Sequence, residues 1–241
     1  MTIKKAVKLK KIIIPATVLE IPPIKIYSAR FYKNNKVMKE IVIDNSDKEL
    51  KKIIKLSKKI GKLEDAKDYD DLRIIIYSVV KKTSVKKTPD LTEIGLGGSL
   101  EEKINFIKQH AGKEISVSEI FKDLKLIDVR GLTKGKGFAG PVKRFGITLK
   151  SHKSEKGRRR PGSLGPWHPT FVLFRVPMAG QLGMFTRVAY NNLVLKTGKI
   201  SGEDINPESG FKHYGKIRTD YIILGGSVFG PAKRQILLTL P

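Results

Sequence analysis

Leu126-Ile-Asp-Val-Arg-Gly-Leu-Thr-Lys-Gly-Lys-Gly-Phe-Ala-Gly-Pro-Val-Lys-Arg-Phe-Gly146 changes character halfway along its length. Leu126 to Gly131 reads as a strand. From Thr133 the apolar periodicity stops, glycine and basic residues take over, and no regular pattern returns before Met184. A structureless connection of about fifty residues is far longer than ordinary loops, so it implies a partner of its own. It is not a dangling tail, because Tyr221 to Val228 and Gln235 to Leu240 follow as two further strands around a Gly230-Pro231 turn.

Upstream, Lys11 to Glu20 and Ile24 to Tyr32 are rich in β-branched and aromatic residues. Pro22-Pro23, which cannot donate to a ladder, separates them. Val37 to Ile43 follows an Asn34-Asn35 turn. Ser46-Asp-Lys-Glu49 has the form of a capping box, and Leu50, Ile53, Ile54 and Ile60 at helical spacing predict a helix that ends at Gly61. Leu72 to Val80 reads as a strand and Lys81 to Pro89 as a basic linker. A second capping box, Ser99-Leu-Glu-Glu102, opens a helix with Leu100, Ile104 and Ile107 on one face and Gly112 as its stop. Ile115 to Phe121 predicts one more short helix. Strands at both ends with helices between them give an α+β class, with a β-barrel assembled from distant parts of the chain. The expected organisation is barrel strands in 1–44, an inserted helical lobe in 45–122 with a strand near 72–80, a barrel strand in 123–132, a basic loop in 133–187 and the last of the barrel in 188–241.

The chain has 241 residues, and 48 Lys and Arg against 23 acids leave a net charge of +25. With 40% hydrophobic residues it can bury a core, which excludes disorder throughout. The absence of Cys removes disulfides, thiolate metal sites and cysteine nucleophiles, and suits the cytoplasm. No apolar run approaches the roughly 18 residues of a spanning helix, and no leader-like segment is visible, so neither a membrane nor secretion is expected. The charge is concentrated. Between Thr133 and Arg187 twelve Lys and Arg face the single acid Glu155, whereas 44–71 balances eight Lys against eight acids, the mixed surface of a soluble region that needs no special partner.

Within the basic stretch, glycines let a backbone approach a phosphate chain closely. Lys134, Lys136, Lys143 and Arg144 can neutralise it, while Phe138 and Phe145 offer rings for stacking on unpaired bases. Lys150, His152, Lys153 and Lys156 lead into Arg158-Arg159-Arg160, three guanidiniums that can fork to phosphates on different sides of a folded RNA. Trp167, the only Trp, lies between Pro166 and Pro169 beside His168, which suits a loop tip better than a core. Arg175 and Arg187 complete the run. The competing reading of these segments is a solvated or disordered basic loop whose rings are anchored in the protein.

Enzyme chemistry finds little support. The four His form no metal-ligand spacing, no nucleophile elbow occurs, and no acid lies between Glu155 and Glu203 to act as a base in the basic segment. Gly95-Leu-Gly-Gly98 before a helix start lacks both the dinucleotide fingerprint and the Gly-Lys-Ser/Thr of a phosphate loop, so it reads as a plain turn and cap.

Five segments carry a family resemblance. They are Gly131-Leu-Thr-Lys-Gly-Lys-Gly137 with Val142-Lys-Arg-Phe-Gly146, Gly162-Ser-Leu-Gly-Pro-Trp-His-Pro169, Ala179-Gly-Gln-Leu-Gly183 with Arg187, and Gly210-Phe-Lys-His-Tyr-Gly215. Weaker matches are Glu20-Ile-Pro-Pro23, Gly97-Gly-Ser99 and Lys233-Arg234. In this order they resemble the archaeal and eukaryotic branch of the ribosomal large-subunit L-three family, over nearly the whole chain.

The resemblance implies a β-barrel of the translation-protein type with an inserted lobe, and a central loop threading large-subunit rRNA toward the peptidyl-transferase centre with Trp167 at its tip. It implies rRNA contacts for Lys134, Lys136, Lys143, Arg144, Arg158, Arg159, Arg160, Gln181 and Arg187, and extends the expectation to Lys233 and Arg234. It further implies a role in subunit assembly, neighbouring ribosomal proteins such as L-fourteen as partners, and neither catalysis, small-molecule substrate nor cofactor beyond Mg2+ held by the rRNA. Family members begin with some forty further residues ending in a Lys-Ala-Gly-Met-Thr type sequence. Met1-Thr2 stands at the close of that motif, and the resemblance leaves three alternatives for the missing barrel strand: a separate chain supplies it, Met1 is an internal start, or the fold tolerates its loss. Two rivals remain at this stage, a dissociable RNA-binding translation or assembly factor on the same barrel, and a basic scaffold for DNA.

Overall fold

The computed structural model describes residues 12–44, 46–57, 60–66, 68–121 and 125–240, so the expectations for Met1-Thr2 and for Lys11 lie outside the described residues. In chain order the strands are β1 (Ala16–Ile21), β2 (Ile24–Lys33), β3 (Lys36–Val42), β4 (Asp71–Ser78), β5 (Leu91–Gly95), β6 (Leu126–Leu132), β7 (Phe138–Ala139), β8 (Gly180–Gln181), β9 (Thr186–Lys199), β10 (Asp220–Gly225) and β11 (Ile236–Thr239). The α-helices are α1 (Leu100–His110), α2 (Val117–Ile120) and α3 (Pro141–Phe145). The fold is thus α+β with sheet predominating. Two compact units divide it, one of Met1–Ile127 with Asn191–Ser227 and one of Asp128–Tyr190 with Val228–Pro241.

In the first unit β3, β2, β4 and β5 form an antiparallel sheet in that order. Asn34 and Asn35 both take positive φ (48° and 60°), the two-residue turn whose twist matches a tight hairpin. One face packs Ile26, Ala29, Phe31, Leu72, Ile74 and Ile76 against Ile107 of α1. That helix starts as its sequence predicts: Ser99 Oγ accepts from the Glu102 amide, and the Glu102 carboxylate accepts from the Ser99 amide. At the other face Tyr27, Ile75 and Tyr77 bury Leu50. Further along, Arg30 bridges Glu40 (2.8 Å) and Glu93 (2.6 Å), the Tyr32 hydroxyl donates to Glu93, and Lys103 reaches Asp71 at 2.7 Å. The Tyr32 hydrogen bond, aided by Arg30, holds the Glu93 carboxyl below the usual range, and Lys103 does the same for Asp71.

The helix expected over 46–61 does not form. Among the described residues of this stretch only a 3-10 turn, Lys48–Lys52, is present, and Ile53 is already outside it. The expected cap is missing, since Asp47 and not Ser46 stands at the N-cap and its side chain makes no cap hydrogen bond. It instead accepts from the Tyr77 hydroxyl (2.7 Å) and Lys25 (3.2 Å), bonds that lower its pKa although burial works the other way. Leu50, Ile54 and Leu56 then follow the sheet rather than one helical face. The strands of 1–44 also separate. β1 pairs with β10, and β10 with the far end of β9, whereas β2 and β3 belong to the sheet of β4 and β5. Pro22-Pro23 marks the change, and the Pro23 carbonyl is taken by the Val79 amide at 2.9 Å. β5 and β9 had no counterpart in the sequence reading.

Candidate nucleic-acid interface

β6 carries the chain to the start of the basic stretch, and β11 pairs with it antiparallel, Ile236 opposite Gly131 through Thr239 opposite Asp128. From Thr133 the two ends of the stretch hold each other. The Thr133 amide donates to the Phe185 carbonyl (3.0 Å), and the Phe185 amide donates to Thr133 Oγ1 (3.0 Å). Next the Lys136 amide meets the Leu182 carbonyl, the Leu182 amide meets the Gly137 carbonyl (both 2.9 Å), and β7 pairs with β8. The crossing is close enough to demand glycine. Gly183 has φ +78°, and a Cβ there would lie 2.0 Å from the Lys134 carbonyl oxygen. What looked structureless is therefore an arm with a clamped base, projecting residues 140–179.

Pro141 at the first turn of α3 and Gly146 in the left-handed conformation at its end bound one short helix just above this base. From it Arg144 reaches across, Nε to the Gln181 carbonyl (3.1 Å) and Nη1 to that of Met178 (3.0 Å). Its guanidinium also lies 5.0 Å from the Phe145 ring centre. Arg144 and Gln181, both predicted as RNA contacts, thus bond to the arm's own backbone. The amide of Gln181 donates to the Leu182 and Gly183 carbonyls at 3.3 Å each. A second crossing joins Lys150 and Arg158, the Lys150 amide donating to the Arg158 carbonyl and Arg158 Nε to the Lys150 carbonyl (3.2 Å each).

The remaining predicted residues are displayed. Lys134, Lys136, Lys143, Lys150, His152, Lys153, Lys156, Arg158, Arg159, Arg160, His168, Arg175 and Arg187 are exposed, and Trp167 is 84% exposed. Lys233 is exposed and Arg234 half-buried, in a turn packed on the arm's root, where a Cβ at Gly230 would lie 3.0 Å from the Leu132 carbonyl. Among the described residues, no Lys or Arg between 133 and 187 forms an ion pair. Sequence reading passed over Phe171 and Phe174. Both are exposed, and the apolar run Phe171-Val-Leu-Phe174 between the Pro-rich tip and Arg175 was the available signal. Backbone phosphates attract the cations, and unpaired bases suit the rings. No group of three or more His, Asp or Glu able to hold a metal ion occurs among the described residues, and none of their helices is long and apolar enough to cross a membrane.

In the first unit one of the weaker sequence matches, at Glu20, meets the main segment Gly210–Gly215 across 194 residues. Glu20 accepts from the Tyr214 hydroxyl, from the amides of Arg218 (2.8 Å) and Thr219 (3.2 Å), and from Thr219 Oγ1. Burial and the carboxylate push the Tyr214 hydroxyl's pKa well up, so it remains a donor.

The sequence is similar to curated archaeal proteins. It is 42% identical to the large ribosomal subunit protein uL3 of Methanocaldococcus jannaschii, over 95% of this chain and 72% of that one. The namesakes from Archaeoglobus fulgidus (42%, 94% of this chain) and Picrophilus torridus (41%, 95%) are each matched over 72% of their length. The family model described as Ribosomal protein L3 matches residues 25–240, from the first residues of β2 to the end of β11. With a clamped, acid-poor arm at its centre and a match of this extent, the chain belongs to the ribosomal protein L3 family, whose members are structural proteins and not enzymes.

Proposed function

We propose that this protein is a structural constituent of the large ribosomal subunit in the cytoplasm, binding large-subunit rRNA and supporting subunit assembly. The arm 133–187 enters the rRNA and brings Trp167 toward the peptidyl-transferase centre. Partners are rRNA and neighbouring ribosomal proteins, of which L-fourteen is the one the resemblance implies. β1, β6, β9, β10 and β11 supply the strands of a translation-type barrel. Bound Mg2+, where present, is held by the rRNA. The observation that carries this reading is the arm itself: twelve Lys and Arg, no ion pair among its described residues, and an exposed Trp167 beyond a clamped base.

Phosphate contacts release counterions, so affinity for large-subunit rRNA fragments should fall steeply with salt, by about 0.7–0.9 log units per log unit of salt for each phosphate neutralised. Replacing Arg158, Arg159 and Arg160 by Ala should flatten that slope by about 2–3, whereas Trp167→Ala should leave it unchanged and lower peptide transfer or factor binding in assembled subunits. A salt-insensitive wild type, or equal competition by duplex DNA, overturns the reading. Loss of the protein from subunits in a high-salt wash would favour a dissociable factor.

A further inference from the structure

We infer that Phe171 and Phe174, in the apolar run between the tip and the root of the arm, each stack on an unpaired base of large-subunit rRNA, with Arg175 on the phosphate beside them. The inference rests on the rRNA-binding reading above and deepens it. It assigns base contacts to two residues that neither the charge pattern nor the resemblance singled out.

Phe171-Val-Leu-Phe174 is the longest stretch of consecutive exposed large hydrophobic residues among those described. Phe171 is 67% exposed and Phe174 fully so. Neither ring meets another ring or a guanidinium among the described residues, whereas Arg144 covers Phe145 and Arg187 lies over Phe185. A turn fixes their place: the Val176 amide donates to the Leu173 carbonyl at 3.1 Å, which puts Phe174 and Arg175 at its corner. Two residues further on, the Met178 carbonyl accepts from Arg144 Nη1 at 3.0 Å, so the turn stands beside a point tied to α3. The Phe174 ring is therefore held out from anchored backbone, and little ordering is left for binding to impose.

Exposed aromatic residues are not scattered over this protein. Phe138, Phe145, Trp167, Phe171, Phe174 and Tyr190 all belong to the second unit, while no Phe or Tyr of the first unit is exposed among the described residues. The chain that buries Phe31, Tyr77 and Tyr221 in one unit leaves Phe174 bare in the other. A ligand for these rings has to be flat and apolar where it meets them and negative around them. No acid occurs between Glu155 and Glu203, and Arg175 adjoins Phe174 on the arm that also carries Arg158, Arg159 and Arg160. A nucleobase on its phosphodiester meets both demands, since every base has a π-face whatever its identity. Bases inside a helix already stack on their neighbours, so the ones that meet Phe171 and Phe174 lie in a loop or bulge.

The test uses the full chain carrying Phe174→Leu, Phe174→Tyr, or Phe171→Leu together with Phe174→Leu. Both side chains are exposed, so circular dichroism and melting should match the wild type. Affinity for large-subunit rRNA fragments should fall by about 5- to 150-fold in Phe174→Leu, the loss of one stacked base, and further in the double variant. The slope of log affinity against log salt should stay that of the wild type, because no charge is removed. Phe174→Tyr keeps a flat ring and should bind as the wild type does. Ultraviolet irradiation of the wild-type complex should crosslink Phe171 or Phe174 to nucleotides of a loop or bulge. Unchanged affinity in both Leu variants, with the wild type binding and the Arg158–Arg160 variant showing its reduced slope, overturns this inference alone. If the Leu variants bound rRNA normally yet were lost from assembled subunits, the rings would face an apolar pocket of a neighbouring protein, which overturns it as well. A wild type with no preference for rRNA overturns both readings together.

Discussion

Gly183 shows how little freedom the arm's base has. Its φ of +78° is unfavourable to any side chain, and a Cβ would meet backbone, the Lys134 carbonyl at 2.0 Å and the Gly135 Cα at 2.9 Å, rather than a side chain able to rotate away. Gly162, further along the same arm, has nothing within 4 Å of its would-be Cβ. Gly183→Ala should therefore loosen the clamp by at least the 1–3 kcal/mol of a strained left-handed residue, about 5- to 150-fold in local opening. Hydrogen exchange at the Lys136 and Leu182 amides reads this directly: both should exchange faster by that factor in Gly183→Ala and at the wild-type rate in Gly162→Ala. Equal protection in the two variants would mean the crossing does not hold the arm. Arg144 belongs to the same scale, since its hydrogen bonds to the Met178 and Gln181 carbonyls leave its charge uncompensated while fixing where that charge sits.

Among the elements, those decided by local chemistry were readable in the sequence and those decided by distant partners were not. The α1 capping box and the Asn34-Asn35 hairpin are satisfied within a few residues, and both form as read. The helix over 46–61 did not form, and there Tyr77 and Lys25, which are not local, claim the Asp47 carboxylate. β9 was invisible because its fourteen residues contain no fully buried position and so give no alternation to detect. The basic arm could be read from composition, but its clamp could not, since amide-to-carbonyl bonds between 133–137 and 182–185 leave no side-chain signature except glycine. The charged end of the β2–β4–β5 face yields a prediction about pH. Glu93 and Asp71 are held below their ordinary values, about 4.3 and 3.9 in an unfolded chain, so they stabilise the fold above those values and lose that contribution as pH falls through their folded-state pKa values. Glu93→Gln should lower the urea midpoint at pH 7, and the gap from wild type should narrow by pH 3. A gap that widened on acidification would reverse the sign and rule out the Tyr32 and Arg30 contacts as its source.

Across the whole molecule, charge and core are divided unequally. Of the fully buried hydrophobic residues among those described, only Val129 and Ala139 belong to the unit that carries the arm, while Ile26, Phe31, Leu72, Ile74, Tyr77, Ile107, Tyr221, Leu224 and the rest lie in the other. Burial of apolar area supplies most of a fold's stability, at about 25 cal/mol per Å2, so the arm's unit has little with which to oppose the repulsion of twelve Lys and Arg around one acid. Its backbone bonds define a conformation, and under the proposed function a polyanion supplies the stability that a core gives elsewhere. The free protein should accordingly show two tiers of protection. Trypsin should cut first between Lys150 and Arg175, where every Lys and Arg is exposed, and hydrogen exchange should be slow in β2, β4 and α1 but fast through 140–179. Adding large-subunit rRNA should slow both cleavage and exchange in the arm by orders of magnitude while leaving β2 and β4 almost unchanged. Raising salt without RNA should recover only part of that protection, because screening removes repulsion but provides no contacts. A free chain whose arm resists trypsin as well as the β2–β4 sheet does would show that the arm's order is intrinsic, and that rRNA recognises a finished shape instead of completing it.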